Sequence, residues 1–216
     1  MKKNPKQTLI TWSLALGLSL APAWIPASPV PVDVKEADGI AYLVRGGEPY
    51  FIQGVGGSHD LERLAAIGGN SIRTWGAEDK GILDEAHRLG LTVCAGIWIE
   101  HERHGFDYGD EAAVAEQIRR HKATVDRFKD HPAILIWGIG NEVELESSDA
   151  RVWDVVEAVA AYIKEVDPHR PTMTVTAHVE EAVVEEILKR CPSIDNLGSN
   201  RYGGIGILAE AIEEAG

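Results

Sequence analysis

The residues most suggestive of chemistry in this 216-residue sequence are an amide and a carboxylate side by side, Asn141 and Glu142. They follow an unbroken apolar run at residues 134–139. A carboxyl group held among apolar neighbours keeps its proton more readily and can act as a general acid. We therefore predict that Glu142 is a catalytic proton donor and that Asn141 binds a substrate hydroxyl. A helix-capping or surface glutamate is the alternative, because the same segment continues with further glutamates.

Five further side chains that could bind a substrate follow other predicted strands. Arg73 ends one strand, and an arginine there can orient carboxylates through paired hydrogen bonds. Trp75, Trp98 and Tyr202 stand at strand ends, where aromatic rings can stack on sugar rings, and His59 follows the first core strand. An ion pair at the rim, ordinary core packing and a loop histidine are the alternatives for these three kinds of residue.

The run of Glu100, His101, Glu102 and His104 raises the question of a metal site. Its spacing differs from the H-E-x-x-H pattern, the residues fall in a predicted loop, and no second cluster supports a metal. The sequence also lacks G-x-S-x-G and an evident Ser-His-Asp order. We therefore predict no metal site and no cofactor.

These candidates can meet only if the fold brings the ends of several strands to one edge. A short β-hairpin is predicted from residue 40, and strands then alternate with helices six times over short connections, which is typical of a parallel α/β sheet. The predicted strands span residues 50–55, 70–75, 91–99, 134–138, 172–177 and 194–198, and the predicted helices span residues 60–67, 81–89, 110–129, 149–166, 180–190 and 207–215.

Two parallel architectures fit this alternation, an open doubly wound sheet and a closed (β/α)8 TIM barrel. Gly54, Gly56 and Gly57 follow the first strand but lack the G-x-G-x-x-G spacing of a nucleotide-binding turn. The barrel is therefore favoured. A complete barrel takes about 250 residues, so about six units imply an incomplete barrel. We expect residues 40–216 to be the N-terminal portion of a larger domain.

The first 27 residues have the pattern of a secretory signal peptide. Lys2, Lys3 and Lys6 precede an apolar stretch at residues 9–20, and small residues follow it. The sequence therefore predicts a secreted or periplasmic protein, with an uncleaved anchor as the alternative. Residues 28–39 are expected to form an extended lead-in.

The composition of the chain indicates which classes of partner it can bind. The chain is 44% hydrophobic and 25% charged, as in ordinary globular proteins, and its net charge is −13. Such a charge repels nucleic acid and anionic lipid, so we expect neither as a partner once the signal is removed. Cys94 and Cys191 are too few for a disulfide framework, although a single bridge stays possible. Composition does not define the oligomeric state.

Several motifs together resemble the clan A retaining glycoside hydrolases, and most closely the TIM-barrel domain of glycoside hydrolase family 2. They are Asn-Glu at residues 141–142, Asn-Ser-Ile-Arg at residues 70–73, Asn-Arg-Tyr at residues 200–202, and the stretches at residues 52–55 and 98–108. The resemblance covers residues 40–216 and implies a barrel that hydrolyses O-glycosidic bonds in oligosaccharides or polysaccharides.

The resemblance also implies a role for individual residues. Glu142 corresponds to the acid/base, Asn141 to a substrate contact, and Arg73 and Tyr202 to residues that steady the nucleophile. The nucleophile of this clan is a glutamate at the end of strand seven, which we expect beyond Gly216. A non-catalytic carbohydrate-binding barrel, an inactive fragment and an unrelated metal-dependent hydrolase are the alternatives.

Overall fold

The fold is built on two sheets of different kinds. The computed structural model describes residues 28–77, 79–202 and 205–215. Three antiparallel strands form the smaller sheet in the order β1-β2-β3, and six parallel strands form the larger one in the order β4 to β9. The smaller sheet consists of β1 (Val32–Ala37), β2 (Ile40–Arg45) and β3 (Glu48–Tyr50).

Each strand of the larger sheet precedes a helix along the chain. The strands are β4 (Gly54–Gly56), β5 (Ser71–Arg73), β6 (Thr92–Ile97), β7 (Ile134–Ile139), β8 (Thr172–Thr176) and β9 (Asn196–Ser199). The helices are α1 (Leu61–Ala66), α2 (Lys80–Arg88), α3 (Glu111–Phe128), α4 (Arg151–Val166), α5 (Glu181–Arg190) and α6 (Leu208–Ala215). Short 3-10 turns lie at Glu102–His104 and Ile205–Ile207.

The strand order confirms the predicted incomplete (β/α)8 barrel. Every neighbouring pair from β4 to β9 is parallel and consecutive along the chain. A doubly wound sheet reverses its strand order at a switch point, and no reversal occurs among the described strands. The chain thus contributes six βα units of a TIM barrel, as the alternation of the sequence predicted.

The prediction of one strand across residues 50–55 was wrong. Tyr50 ends β3 in the antiparallel sheet, and Gly54 begins β4 in the parallel sheet. Between them the Asn70 side chain takes the backbone groups that a strand partner would take. Its Oδ1 accepts from Gln53 N at 2.8 Å, and its Nδ2 donates to Phe51 O at 2.8 Å.

The small sheet packs at the N-terminal ends of the parallel strands. Val32 N donates to His169 O at 2.8 Å, just before β8. Tyr50 Oη donates to Asn70 O at 3.0 Å and lies 3.1 Å from Thr92 Oγ1 at the start of β6. The expected lead-in therefore includes a paired strand, β1, and the antiparallel sheet covers the end of the barrel opposite to the predicted site.

The core lies between the parallel sheet and its helices. All six residues of both β6 and β7 are buried, as expected for parallel strands covered on both faces. Asp110 caps the N-terminus of helix α3, because its Oδ1 accepts from Ala112 N and Ala113 N at 3.0 Å each. Its buried residues, at spacings of three and four, form one stripe: Gln117, His121, Val125 and Phe128.

Three other predictions concern the termini and the cysteines. The predicted signal peptide, residues 1–27, lies outside the described residues. Within the part of the chain that the structure describes, no helix has the length and apolarity needed to span a membrane. Cys94 and Cys191 are both buried and free, so neither forms a disulfide in this structure.

Candidate active site

Four side chains meet at the C-terminal ends of the parallel strands. Arg73 ends β5, Asn141 and Glu142 follow β7, and Asn200 follows β9. Arg73 Nη2 donates to Asn141 Oδ1 at 2.7 Å, and Arg73 Nη1 donates to Asn200 Oδ1 at 3.0 Å. Asn200 Nδ2 donates to Glu142 Oε1 at 2.8 Å and to Asn141 Oδ1 at 2.9 Å. We call these four residues the polar network.

Arg73 sets the direction of every hydrogen bond in the polar network. A guanidinium only donates, so the atoms that face it must be the oxygens of Asn141 and Asn200. The Asn200 amide then points its Nδ2 at Glu142, which fixes the position of Oε1. Two groups make no hydrogen bond with any described residue, namely Asn141 Nδ2 and Glu142 Oε2, and both can therefore contact a substrate.

The backbone of Glu142 has a left-handed conformation, with a φ of 53°. This conformation costs a residue with a side chain about 1–2 kcal/mol, so contacts from elsewhere must hold it. Glu142 N donates to Val175 O on β8 at 2.7 Å, and Gly140 supplies a second positive φ, 77°, just before it. The turn after β7 thereby directs the Glu142 side chain into the polar network.

Trp137, on the strand that precedes Glu142, does not form a wall of the site. Its side chain is fully buried in the core that packs on the helices, and its Nε1 donates to Asp167 Oδ2 at 2.9 Å. Asp167 follows α4 and precedes β8. Trp137 is therefore a residue of the core.

A second carboxylate of the same loop, Glu144, also differs from a simple surface residue. Its Oε1 accepts from Ala177 N at 2.6 Å, and its Oε2 is buried without a partner among the described residues. Burial raises the pKa of the Glu144 carboxyl above its ordinary value, and the neighbouring charge of Glu142 acts in the same direction. Glu144 fastens the loop after β7 to the end of β8.

The two candidate tryptophans lie near the polar network. The Arg73 Cζ atom lies 5.4 Å from the centre of the Trp75 ring, which is exposed. Gly96 on β6 lies against the backbone of Trp75 so closely that a Cβ atom there would be 2.6 Å from the Trp75 Cα. Trp98 is partly buried, and its ring packs edge-on against His101 at 4.7 Å.

Tyr202 and His59 remain outside the polar network. Tyr202 is 85% exposed and His59 is also exposed, and neither side chain makes a hydrogen bond with a described residue. Both lie after strands that point to the same end of the sheet, β9 and β4. Their predicted contacts with substrate or nucleophile therefore stay predictions.

A cavity of about 260 Å³ adjoins the polar network at Arg73. Its lining includes Arg73 together with small and apolar residues of four strands, namely Gly54, Gly56, Cys94, Ile136 and Met173. Burial raises the pKa of the Cys94 thiol to about 11, which keeps it neutral and unreactive.

The run at residues 100–104 is not arranged as a metal centre. No group of three histidine, cysteine, aspartate or glutamate side chains in the described residues could hold a metal ion. His101 instead places its Nε2 2.8 Å from Asn141 O. Sequence reasoning missed this contact and did not select Asn200 as a site residue, although it noted the motif at residues 200–202.

A family model agrees with this geometry. The model of the glycosyl hydrolases family 2 TIM barrel domain matches residues 58–210, which is more than half of the chain. The chain belongs to glycosyl hydrolase family 2. The family predicted from the sequence is thereby confirmed, and the polar network lies where TIM barrels carry their active sites, at the C-terminal ends of the strands.

Several glycosidases are similar to this family 2 barrel. It is 27% identical over 123 residues to the beta-glucuronidase of Chlorocebus aethiops, a match that covers 54% of this chain and 18% of that protein. It is 36% identical over 64 residues to a probable mannan endo-1,4-beta-mannosidase F of Emericella nidulans, covering 29% of this chain and 15% of that protein.

Solved structures show the same fold. The beta-D-glucuronidase of Dictyoglomus thermophilum superposes with a TM-score of 0.63 at 17% identity, covering 86% of this chain and 36% of that one. A family 2 member from Bacteroides cellulosilyticus gives a TM-score of 0.65 at 19% identity, covering 84% and 25%. The chain thus spans between 15% and 36% of the length of these four proteins.

Proposed function

We propose that this family 2 barrel hydrolyses O-glycosidic bonds by a retaining mechanism in which Glu142 is the acid/base. The observation that carries the proposal is the chain of hydrogen bonds from Arg73 through Asn200 to Glu142. Asn200 Nδ2 donates to Oε1, so a proton on the carboxyl group resides on Oε2. Since no described residue binds Oε2, this proton can pass to a substrate oxygen.

The proposed reaction has two steps that use Glu142 in opposite senses. In the first, Glu142 Oε2 gives its proton to the glycosidic oxygen while a carboxylate nucleophile bonds to the anomeric carbon and the C–O bond breaks. In the second, the Glu142 carboxylate takes a proton from water as the water oxygen bonds to the anomeric carbon and displaces the nucleophile. The sugar leaves with its original anomeric configuration.

Arg73 supports the nucleophile in this proposal. Its two Nη atoms bind amide oxygens, and it forms no ion pair with any described residue. A guanidinium without a carboxylate attracts one, and charge-assisted hydrogen bonds are about twice as strong as neutral ones. We place the nucleophile on a strand beyond Gly216, with Tyr202 also beside it.

Four residues near the strand ends are proposed to bind the carbohydrate substrate. Asn141 Nδ2 binds a sugar hydroxyl, while Trp75, Trp98 and His59 bind the sugar rings of an oligosaccharide or polysaccharide. The similar proteins are named as a glucuronidase and a mannosidase, so the identity of the sugar is left open. We also propose that the protein is exported to the periplasm or secreted, from its signal-like N-terminus.

The test is Glu142→Gln in the product of the complete gene, assayed on two glycosides of the same sugar. One carries a poor, sugar-like leaving group and the other carries 2,4-dinitrophenol. Loss of general acid assistance should slow the first substrate about 10²–10⁴-fold and should slow bond cleavage in the second far less.

Glu146→Gln is the matched control, because Glu146 is exposed, lies in the same loop and has nearly the same φ, 54°. It should leave both rates unchanged. Equal rates for Glu142→Gln and Glu146→Gln would remove Glu142 from the mechanism. Binding of oligosaccharides by the unmutated protein without turnover would favour a non-catalytic carbohydrate-binding barrel instead.

A further inference from the structure

Three consecutive residues after β6 contact the loop that carries the proposed acid/base. His101, Glu102 and Arg103 lie at the 3-10 turn between β6 and α3, and each contacts a different part of residues 141–149. We call these three residues the loop clamp.

Arg103 is the clamp residue that contacts the proposed acid/base itself. Its Nη1 donates to Glu142 O at 2.9 Å and lies 3.5 Å from Leu145 O. Glu142 N is already bound to Val175 O, so the backbone of this one residue is held from β8 on one side and from the β6 loop on the other. A residue in a strained left-handed conformation needs such contacts on both sides.

Glu102 holds the outer part of the loop. Its Oε2 accepts from Ser148 N at 2.7 Å, from Ser147 Oγ at 2.9 Å and from Asp149 N at 3.1 Å, and its Oε1 accepts from Ser148 Oγ at 2.8 Å. Four donors on one carboxylate lower the pKa of Glu102, with the Ser148 hydroxyl contributing most. The carboxylate is therefore ionised, and able to accept, at neutral pH.

His101 completes the clamp from inside the protein. Its ring is 1% exposed, and burial lowers the pKa of this imidazole, which is therefore neutral at pH 7. Its Nε2 faces Asn141 O, which can only accept, so Nε2 carries the proton. Its Nδ1 then accepts from His104 Nδ1 at 3.2 Å, and its ring packs against Trp98.

We propose that the loop clamp is a positioning device for the acid/base, with Arg103 as its principal residue. It holds the peptide groups of Asn141 and Glu142 so that the carboxyl group stays at the distance from the scissile oxygen that proton transfer requires. The proposal rests on the proposed role of Glu142. None of the three clamp residues takes or gives a proton in the reaction.

The first test is Arg103→Met in the product of the complete gene, with Arg119→Met as control. Arg119 is an exposed arginine on α3 that pairs only with Glu116. A misplaced catalytic group can cost about 10²-fold in rate, so Arg103→Met should lower kcat/KM, which reports the first bond cleavage, about 10- to 100-fold on the poor leaving group. The kcat/KM of the 2,4-dinitrophenyl glycoside should change little, whereas its kcat and KM should fall together, because Glu142 is also the general base of the second step.

A double variant separates positioning from general damage. In the Glu142→Gln background, Arg103→Met should add less than a twofold further loss, because the group that it positions has already been disabled. A loss of kcat/KM that is equal for both leaving groups, or that multiplies with that of Glu142→Gln, would overturn the proposal. If Glu142→Gln alone had no effect, the proposed function would fail first, so the two failures are distinguishable.

A second measurement applies to the 216-residue chain itself and needs no activity. Hydrogen exchange of the amides at residues 142–149 should accelerate at least tenfold in Glu102→Gln and in Arg103→Met. The amides of β6 and β7 should exchange as in the unmutated chain. Unchanged exchange in the loop of either variant would show that these contacts do not hold it.

Discussion

Two arginines at opposite ends of the parallel sheet have contrasting surroundings. Arg170 precedes β8 at the N-terminal end and is 1% exposed. Its Nη1 pairs with Asp167 Oδ2 at 2.6 Å, and its other nitrogens donate to backbone carbonyls, including Ile134 O at 3.0 Å and His131 O at 2.9 Å. Arg73 at the C-terminal end is partly exposed and donates its hydrogen bonds to the side-chain oxygens of two asparagines.

We infer from this difference that Arg170 is a structural arginine, and we propose that Arg73 is a functional one. The charge of Arg170 is neutralised within the protein, and its donors close the connections around β7 and β8. Arg73 forms no ion pair with a carboxylate of the described residues. Beside it, Glu142 Oε2 and Asn141 Nδ2 make no hydrogen bond with any described residue. In a TIM barrel the N-terminal end serves stability and the C-terminal end serves catalysis.

The largest expected effect on stability comes from Arg170→Met. The substitution leaves the Asp167 carboxylate buried without its partner, which typically costs about 3–5 kcal/mol in free energy of unfolding. Denaturant unfolding measures this change. The double variant Arg170→Met with Asp167→Leu should recover part of the loss, since it removes the uncompensated charge. A loss below about 1 kcal/mol for the single variant would contradict the structural role.

Arg73→Met should show the opposite pattern. Two charge-assisted hydrogen bonds, worth about 1.5–3 kcal/mol each before relaxation, orient the polar network. We expect kcat/KM of the complete gene product to fall about 10²–10³-fold, while the free energy of unfolding changes by less than about 1.5 kcal/mol. A variant that unfolds as easily as Arg170→Met but retains activity would reverse the comparison.

The predicted strand ends agree with the structure, and this is why the sequence could predict that Arg73, Asn141 and Glu142 lie close together. Parallel strands deliver their C-terminal residues to one edge, so polar residues at strand ends must lie near each other. Asn200 obeys the same rule, but its importance depends on the donor geometry of Arg73, 127 residues away. Such an arrangement has no local signal.

Two other differences between the sequence-based predictions and the structure also arise from contacts between residues far apart in the chain. The break between Tyr50 and Gly54 depends on the side chain of Asn70, which occupies the backbone groups of Phe51 and Gln53. Two residues of the loop clamp, His101 and Glu102, belong to the run that raised the question of a metal site, because histidine and glutamate are metal-ligand types. The actual contacts of the loop clamp are with a loop about 40 residues further along the chain, beyond the reach of local patterns.

The smallest predicted effect is on the pH dependence of stability, and it differs in sign between two carboxylates that hold the same loop, Glu102 and Glu144. Hydrogen bonds lower the pKa of Glu102 below its ordinary 4.5, whereas burial raises the pKa of Glu144 above its ordinary 4.5. Glu102 therefore contributes stability above pH 4.5 that is lost as the pH falls through its lowered pKa. Ionising Glu144 costs stability as the pH rises from 4.5 through its raised pKa.

Unfolding measured from pH 3 to about pH 8 can separate the two signs. Relative to the unmutated chain, Glu102→Gln should be less stable at neutral pH, and this deficit should shrink below pH 4.5. Glu144→Gln should gain relative stability as the pH rises above 4.5. The same slope in both variants would mean that the two carboxylates do not differ in the way described.

The most direct test of the central claim, that Glu142 is the acid/base, is rescue by azide. The Glu142→Ala variant of the complete gene product is assayed on a 2,4-dinitrophenyl glycoside with and without sodium azide. Azide needs no general base, so it should attack the glycosyl-enzyme in the space that the carboxylate vacated. The predicted result is faster turnover and a glycosyl azide with the anomeric configuration of the substrate. The claim would be contradicted if the unmutated protein hydrolyses the substrate but the Glu142→Ala variant forms no glycosyl azide.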